Sequence, residues 1–403
     1  MTTATDTAAT QASVAEANRS RILRHLYHHG ISSRAQIAKA VGLTPAAITK
    51  ITAQLIEIGL IDETGDIEGA KNRRSIGLKL DASRFHIIGV KFARSLVQIG
   101  IFDLAGQTIK LDTLPNVYEH TIDETIASIH KRIKTMLSKD GSIVAIGMAV
   151  PGPYLRNAGH TAVVSSMQGW RRINFIEEFT HAFRVPVFIE QDARAGALAN
   201  YLLFPGNRTD NLAYYLIGEG VGLGVIDNGR IINGALGVAS EIGHVSIDVN
   251  GRACDCGNVG CLERYCSAPA IHAMLVEEGT LVPDAAGMEH AEACRRLFLL
   301  AQEGNAQARA MVRTIGRYVG YGCLIIFNTF NPERIVIGDI VSEAGQALLD
   351  EIERVVEQRA IGAIAETTTI TLSTMPTDAT VLGAAAVATT QFLDHPSQFF
   401  PLK

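Results

Sequence analysis

From Glu241 to Glu263 the chain runs EIGHVSIDVNGRACDCGNVGCLE, a segment holding His244 and half of the six cysteines. His244, Cys254, Cys256 and Cys261 form the pattern H-x9-C-x-C-x4-C. Three thiolates and an imidazole are the donor set of a closed tetrahedral zinc site. Gly257 and Gly260 free the backbone to bring the three sulfurs together. The plain alternative is a set of buried cysteines beside an unrelated histidine. A redox pair fits poorly, because one residue between Cys254 and Cys256 gives unfavourable disulfide geometry. The expectation is one structural zinc per chain, with all four positions filled and none open for chemistry.

Around this segment lie 403 residues, 47% hydrophobic and 19% charged, enough for two or three globular domains. No run approaches the roughly 20 apolar residues of a membrane span, and the start MTTATDTAATQAS has no secretory signal pattern. A cytoplasmic location is expected, where clustered thiols favour metal over disulfide. The net charge of -5 is uneven. Residues 1–80 carry ten basic and seven acidic side chains, leaving 26 and 34 for the remainder. A basic module on an acidic body permits nucleic-acid binding.

The N-terminal module begins with a Thr/Ala-rich stretch, 1–15, read as a disordered tail. Ile22, Leu23, Leu26 and Tyr27 then recur at helical spacing up to Gly30. Ser33 caps a short helix closed by Gly42, and Thr44-Pro45 opens a third that Gly59 stops. Three helices with a short turn before the last are a helix-turn-helix, and Leu60–Glu63 with Ser75–Leu80 suggest the strands of a wing. The third helix would enter the major groove of double-stranded DNA, with Thr44, Pro45, Ala46, Ala47, Thr49, Lys50 and Gln54 on its outer side. Arg73 and Arg74 in the wing are candidates for phosphate or the minor groove. A generic three-helix packing unit with a solvated polar face is the bland alternative.

From Phe85 onward strands and helices alternate in two rounds, as in layered α/β structure with two lobes around a cleft. Gly218-Glu219-Gly220-Val221-Gly222-Leu223-Gly224 reads either as a phosphate cradle or as a tight hairpin. Asp192, directly after strand Val187–Glu190, is either a proton acceptor or a helix cap. Glu241 and Glu263 flank the expected metal ligands and suit a polyhydroxyl ligand, with surface ion pairs as the alternative. The expected division is tail 1–15, winged helix-turn-helix 16–65, wing and linker 66–84, first lobe 85–191 and second lobe 192–403. The second lobe carries the zinc site and an oligomerisation surface, its C-terminal helix free to return to the first.

Taken together, Thr44-Pro45-Ala46-Ala47-Ile48-Thr49-Lys50-Ile51, Glu241-Ile242-Gly243-His244, the cysteine cluster and Gly260-Cys261-Leu262-Glu263 resemble the ROK family, specifically its NagC/XylR-type sugar-responsive repressors. The resemblance runs from about Asn18 to the C-terminus. It implies an actin-like sugar-kinase fold for the body, zinc on His244 and the three cysteines, and homodimers or homotetramers. The family's sugar-contacting positions fall on Gly169, Gln191, Asp192, Glu241, His244 and Glu263. Its kinases open the body with Asp-x-Gly-Gly-Thr, where this chain has Gly89-Val90-Lys91-Phe92-Ala93-Arg94. Their later Gly-Gly is Gly338-Asp339 here, and the Asn before the catalytic Asp is Gln191. A retained Asp192 without a phosphate cradle cannot position a phosphoryl donor, so no kinase activity is expected. The resemblance implies a repressor of sugar uptake or catabolism genes, bound to a palindromic operator and released by a sugar or sugar phosphate. Two alternatives stand beside it: an ATP-dependent sugar kinase fused to a DNA-binding domain, and a repressor controlled by a protein partner.

Overall fold

In the computed structural model, residues 11–68, 74–93, 96–162, 168–204, 209–375 and 379–400 are described. The N-terminal module comprises α1 (Gln11–His29), β1 (Ser32–Ser33), α2 (Arg34–Val41), α3 (Pro45–Glu57), β2 (Ile61–Glu68) and β3 (Arg74–Leu80). The first helix starts at Gln11, so the expected disordered tail loses residues 11–15 to it; residues 1–10 lie outside the described residues. Ser33 caps α2 through a capping box with Gln36, and Gly42 ends it with φ +65°. Thr44 caps α3 ahead of Pro45, its hydroxyl accepting the Ala47 N–H at 3.3 Å. Strands β2 and β3 pair antiparallel and β1 adds to β3, so the wing is a three-stranded sheet.

The body holds two five-stranded sheets of one topology. The first has the order β10-β7-β4-β5-β6, from β4 (His86–Phe92), β5 (Val97–Asp103), β6 (Thr108–Thr113), β7 (Ile143–Val150) and β10 (Val187–Gln191). The second has the order β13-β12-β11-β14-β15, from β11 (Leu212–Ile217), β12 (Val221–Asp227), β13 (Arg230–Ile231), β14 (Arg334–Gly338) and β15 (Thr369–Leu372). In each, the first strand hairpins to the second on one side and pairs parallel to a later strand on the other. A small hairpin of β8 (Tyr154–Leu155) and β9 (His160–Thr161) follows β7. On the outside, α4 (Ile122–Lys139) and α5 (Phe175–Phe179) build a core with the first sheet. Helices α7 (Glu263–Cys266), α8 (Ala268–Glu278), α9 (His290–Gln302), α10 (Ala306–Phe330) and α11 (Gln346–Arg359) do so with the second, and α12 (Gly362–Ala365) follows α11.

Between the sheets lie α6 (Asp192–Leu203) and α13 (Ala379–Asp394), packed on each other. Both are rich in alanine, and the strands they cover carry glycine where they come closest. A Cβ on Gly147 of β7 would lie 1.8 Å from the Ala384 carbonyl oxygen of α13. One on Gly224 of β12 would lie 2.4 Å from the Ala193 carbonyl oxygen of α6. Backbone therefore packs on backbone, and the C-terminal helix lies on the first sheet although its nearest strand in sequence belongs to the second. The apolar residues of this inter-sheet layer are continuous with those of the N-terminal module. Arg24 of α1 forks onto Asp394 at the end of α13 with contacts of 2.5 and 2.8 Å, and Tyr27 donates to the Leu104 carbonyl at 2.8 Å. Among the described residues no helix is long and apolar enough to cross a membrane.

Candidate functional site

The segment 241–263 folds back on itself through isolated bridges between Ser246 and Cys261 and between Ala253 and Val259. Gly257 and Gly260 take φ of +91° and +73°, the left-handed conformation that glycine tolerates, and a Cβ on Gly260 would sit 1.7 Å from the Asp248 carbonyl oxygen. As a result His244, Cys254, Cys256 and Cys261 present four ligand atoms within 4.8 Å of one another. Cys256 Sγ and Cys261 Sγ are 3.6 Å apart, and Cys254 Sγ is 3.8 Å from His244 Nδ1. A disulfide would need about 2.05 Å. In a tetrahedron with bonds of about 2.3 Å, neighbouring sulfurs stand roughly 3.7 Å apart. The spacing fits a shared cation. Burial raises the Cys261 thiol to about 12, so metal binding there would release protons.

His244 also forms part of the wall of a cleft between the two sheets, with a volume of about 380 Å³. That lies toward the lower end of small-molecule sites, roughly 300–1,000 Å³. With Nδ1 turned to Cys254, Nε2 is the ring nitrogen left for the cleft. Gln191, Asp192, Glu241 and Glu263 line the same space, each delivered by a different device. Gln191 ends β10 and Asp192 begins α6, so a strand-to-helix turn aims both across the cleft. Glu241 precedes the short turn carrying His244, and Glu263 opens α7 with one carboxylate oxygen accepting the Val221 N–H at 3.2 Å.

Among the described residues, Gln191 Oε1 and Glu241 Oε1 of this wall are buried without a hydrogen-bond partner. Both are acceptors, which a hydroxyl-bearing ligand would satisfy. Desolvation pushes the Glu241 carboxyl up to about 7, with Asp192 and Glu263 adding to the rise and Arg194 opposing it. Behind the wall, Arg194 is fully buried and donates to Glu190 at 2.7 Å, and Arg156 pairs with the same carboxylate. The glycine run forms a tight hairpin turn at residues 218–220 and the start of β12, and its Glu219, Gly220 and Gly222 face the cleft. Beside this turn, at the end of the neighbouring strand β14, stands Asp339, whose φ of +69° and ψ of -168° belong to glycine-type backbone. Its Oδ1 accepts the Ile340 N–H at 2.6 Å, which offsets part of that strain.

In the N-terminal module, Ile48, Thr52 and Leu55 anchor α3 inward, and Thr44, Pro45, Ala46, Thr49 and Lys50 are exposed. Ala47 and Gln54 are half-buried, so these two are less outward than their helical positions suggested. The Thr49 hydroxyl donates to the Pro45 carbonyl at 2.9 Å.

The ROK family pattern matches residues 87–391, and a winged helix-turn-helix DNA-binding pattern matches residues 16–62. The chain belongs to the ROK family. It is 31% identical over 362 residues to the DNA-binding transcriptional dual regulator NagC of Escherichia coli K12, covering 87% of each chain. To the xylose repressor of Caldicellulosiruptor bescii it is 28% identical over 390 residues, 94% of this chain and 97% of that one. A ROK family transcriptional regulator, a homologue of the E. coli MLC protein, superimposes with a TM-score of 0.78 at 26% identity, covering 94% and 97%. The ROK glucokinase of Streptomyces griseus, solved with glucose and AMPPNP, shares the fold of the body, with a TM-score of 0.65 at 23% identity over 74% of this chain and 98% of that one.

Of the sugar positions that the ROK resemblance implied, five meet in the cleft: Gln191, Asp192, Glu241, His244 and Glu263. Gly169 does not join them. It lies in a short helical turn with its N–H on the Glu119 carboxylate at 2.8 Å, and it is absent from the cleft wall. Arg73 lies outside the described residues; Arg74 begins β3, with its side chain outside them. Lys91 and Thr380 line the cleft and were not read as site residues. A lysine inside an otherwise apolar strand was the available signal for Lys91. Thr380 had none, because only the return of α13 to the first sheet brings it there.

Proposed function

We propose that this ROK chain is a DNA-binding repressor of sugar uptake or catabolism genes, released from its operator when a sugar or sugar phosphate fills the cleft. One observation carries the reading: α6 and α13 both start at the cleft and end against the reading module. Asp192 and Thr380 stand at their cleft ends, while Tyr201 packs its ring 5.8 Å from that of His28 and Asp394 holds Arg24. A helix of 16 residues spans about 24 Å, so a small tilt at the ligand end displaces α1 as a rigid lever. A ligand that prefers one lobe arrangement thereby alters the spacing of two reading helices on a palindromic operator, given a homodimer or homotetramer. The NagC and xylose repressor relatives point the same way, and a cytoplasmic location goes with it.

In this reading the ligand's hydroxyls would be received by Gln191, Asp192, Glu241, His244 Nε2 and Glu263. Zinc held by His244 and the three cysteines would fix the segment that carries Glu241 and Glu263, with no role in chemistry. Thr44, Pro45, Ala46, Ala47, Thr49 and Lys50 would face the major groove, with Arg73 and Arg74 near phosphate. A kinase activity is not part of the proposal. Lys91 and Asp339 stand where the family's kinases have aspartate and glycine, and a carboxylate at Asp339 opposes a phosphoryl donor.

The test is release of labelled operator DNA by a panel of sugars and their phosphate esters at fixed salt, since DNA affinity depends steeply on it. Release by one class at micromolar to millimolar concentration is expected. Operator binding indifferent to every compound would favour control by a protein partner, and turnover of ATP with a sugar would favour the kinase.

A further inference from the structure

Glu190, near the end of β10, is 3% exposed, and each of its carboxylate oxygens receives a different arginine. Arg194, buried in the first turn of α6, donates from Nε to Oε1 at 2.7 Å. Arg156, in the turn between β8 and β9, donates from Nη2 to Oε2. Both arginines then reach the loop that follows β13, at its opposite ends. Arg156 Nη2 donates to Asn233 Oδ1 at 2.8 Å, and Arg194 Nη1 to the Ala239 carbonyl at 3.5 Å. The loop closes on itself through the Ala239 N–H on the Asn233 carbonyl at 3.1 Å. It folds tightly over Arg156, whose Cβ would lie 2.8 Å from a Cβ on Gly237.

This loop delivers Glu241 to the cleft. Glu241 is the centre of an inverse γ-turn, with φ -73°, ψ 61° and the Ile242 N–H on the Ser240 carbonyl at 2.7 Å. Ser240, just ahead, has a φ of +69°, which is costly outside glycine and persists only where the surroundings enforce it. The Ser240 side chain does not enforce it: among the described residues its hydroxyl is buried without a partner. The enforcing contacts are the arginine bonds on one side and the folded segment of His244 and the cysteines on the other.

We propose that Arg156, steered by Glu190, is a positioning residue for effector binding: with Arg194 it clamps the loop 232–240 so that the Glu241 carboxylate stands ready in the cleft. This rests on the cleft being the effector site. None of Arg156, Glu190, Arg194 and Asn233 is among the described residues of the cleft wall, so the clamp acts through Glu241 and touches no ligand itself. Arg156 hangs from the first sheet and its loop from the second. Glu241 is therefore in place only while the two sheets keep this relation, and effector binding favours that arrangement over others.

Calorimetry on the full chain tests it, with whichever of N-acetylglucosamine, glucose, xylose and their phosphate esters the wild type binds most tightly. Arg156→Met and Asn233→Ala should each weaken that compound about tenfold, the scale of one hydrogen bond to a charged group. The two together should cost no more than either alone, and Arg156→Lys should recover part of the loss. In a Glu241→Ala background, where the positioned carboxylate is gone, Arg156→Met should add less than about twofold. Thermal melts of each variant show that it remains folded. Wild-type affinity in both Arg156→Met and Asn233→Ala would overturn the clamp and leave the cleft standing. An equal loss from Arg156→Met with and without the Glu241 side chain would overturn it too, making Arg156 a general structural support. A chain that binds none of the compounds, or a Glu241→Ala variant that binds as well as the wild type, would instead defeat the reading of the cleft.

Discussion

Arg24 and Asp394, 370 residues apart in sequence, hold each other through two hydrogen bonds and tie the first helix of the DNA-reading module to the last helix of the body. Each side chain is only about a quarter exposed. Ser20 and Glu16 of α1 reach the same end of the chain, the latter accepting from the Ser397 N–H at 3.0 Å. The module is therefore docked on α13, and the docking point is the far end of a helix that starts in the ligand cleft.

Breaking this tie should uncouple the two ends. In Arg24→Ala and Asp394→Ala, effector affinity measured by calorimetry should be unchanged, while the effector-induced loss of operator affinity shrinks several-fold. The double variant should behave like either single one, because one interaction is being removed. The stability cost should be about 1.5–3 kcal/mol, the range for hydrogen bonds to a charged group, since the pair is mostly buried. Full effector response in both variants would show that the signal takes another route.

Metal content tests the thiol cluster. Wild-type protein should carry one zinc per chain by elemental analysis, and Cys256→Ser with Cys261→Ser should lose it. Effector affinity should fall in the same variant and on treatment with chelator, since Glu241 and Glu263 flank the ordered segment. Unchanged metal content after both substitutions would remove the zinc assignment.

Glu241→Gln separates binding from stability. Burial raises this carboxyl to about 7, so its ionised form is disfavoured in the folded chain. Replacing it with a neutral isostere should leave the melting temperature level or higher at neutral pH. Effector affinity should drop about tenfold, from loss of a charged hydrogen-bond acceptor. A large loss of stability with affinity intact would mean that Glu241 is structural.

On the reading helix, Lys50→Ala distinguishes two contacts. If Lys50 meets phosphate, operator affinity should fall for all sequences and the slope against salt should decrease by about 1. If it meets guanine, discrimination at one base pair should relax by about 1–3 kcal/mol. Binding unaffected in both respects would place α3 away from the groove at this point.

Gly147→Val probes the packing of α13. Even a single carbon added there lies 1.8 Å from the Ala384 backbone oxygen, which has no side-chain freedom with which to move aside. The expected loss is about 3 kcal/mol or more, read as a fall in denaturation midpoint.

Much of this molecule is local, and the sequence alone determined that part. The capped helices at Ser33 and Thr44, the glycine stops at Gly30, Gly42 and Gly59, and the spacing of His244 with its cysteines depend on residues close in the chain. Cap geometry, helical period and ligand spacing act over a few positions and are written there. The two rounds of strands were legible for the same reason. What only the tertiary structure decided is which distant elements meet. Alternation cannot show that α13 crosses back to the first sheet, so Thr380 and the partner of Arg24 stayed invisible. Gly169 is the converse case: a position carried over by resemblance lies outside the cleft wall, its N–H taken by Glu119, a residue 50 positions away. Lys91 was visible as a charge in an apolar strand, but only the tertiary structure shows that it is buried in the cleft wall. Burial and pairing are sums over neighbours from the whole chain, and no window of sequence contains them.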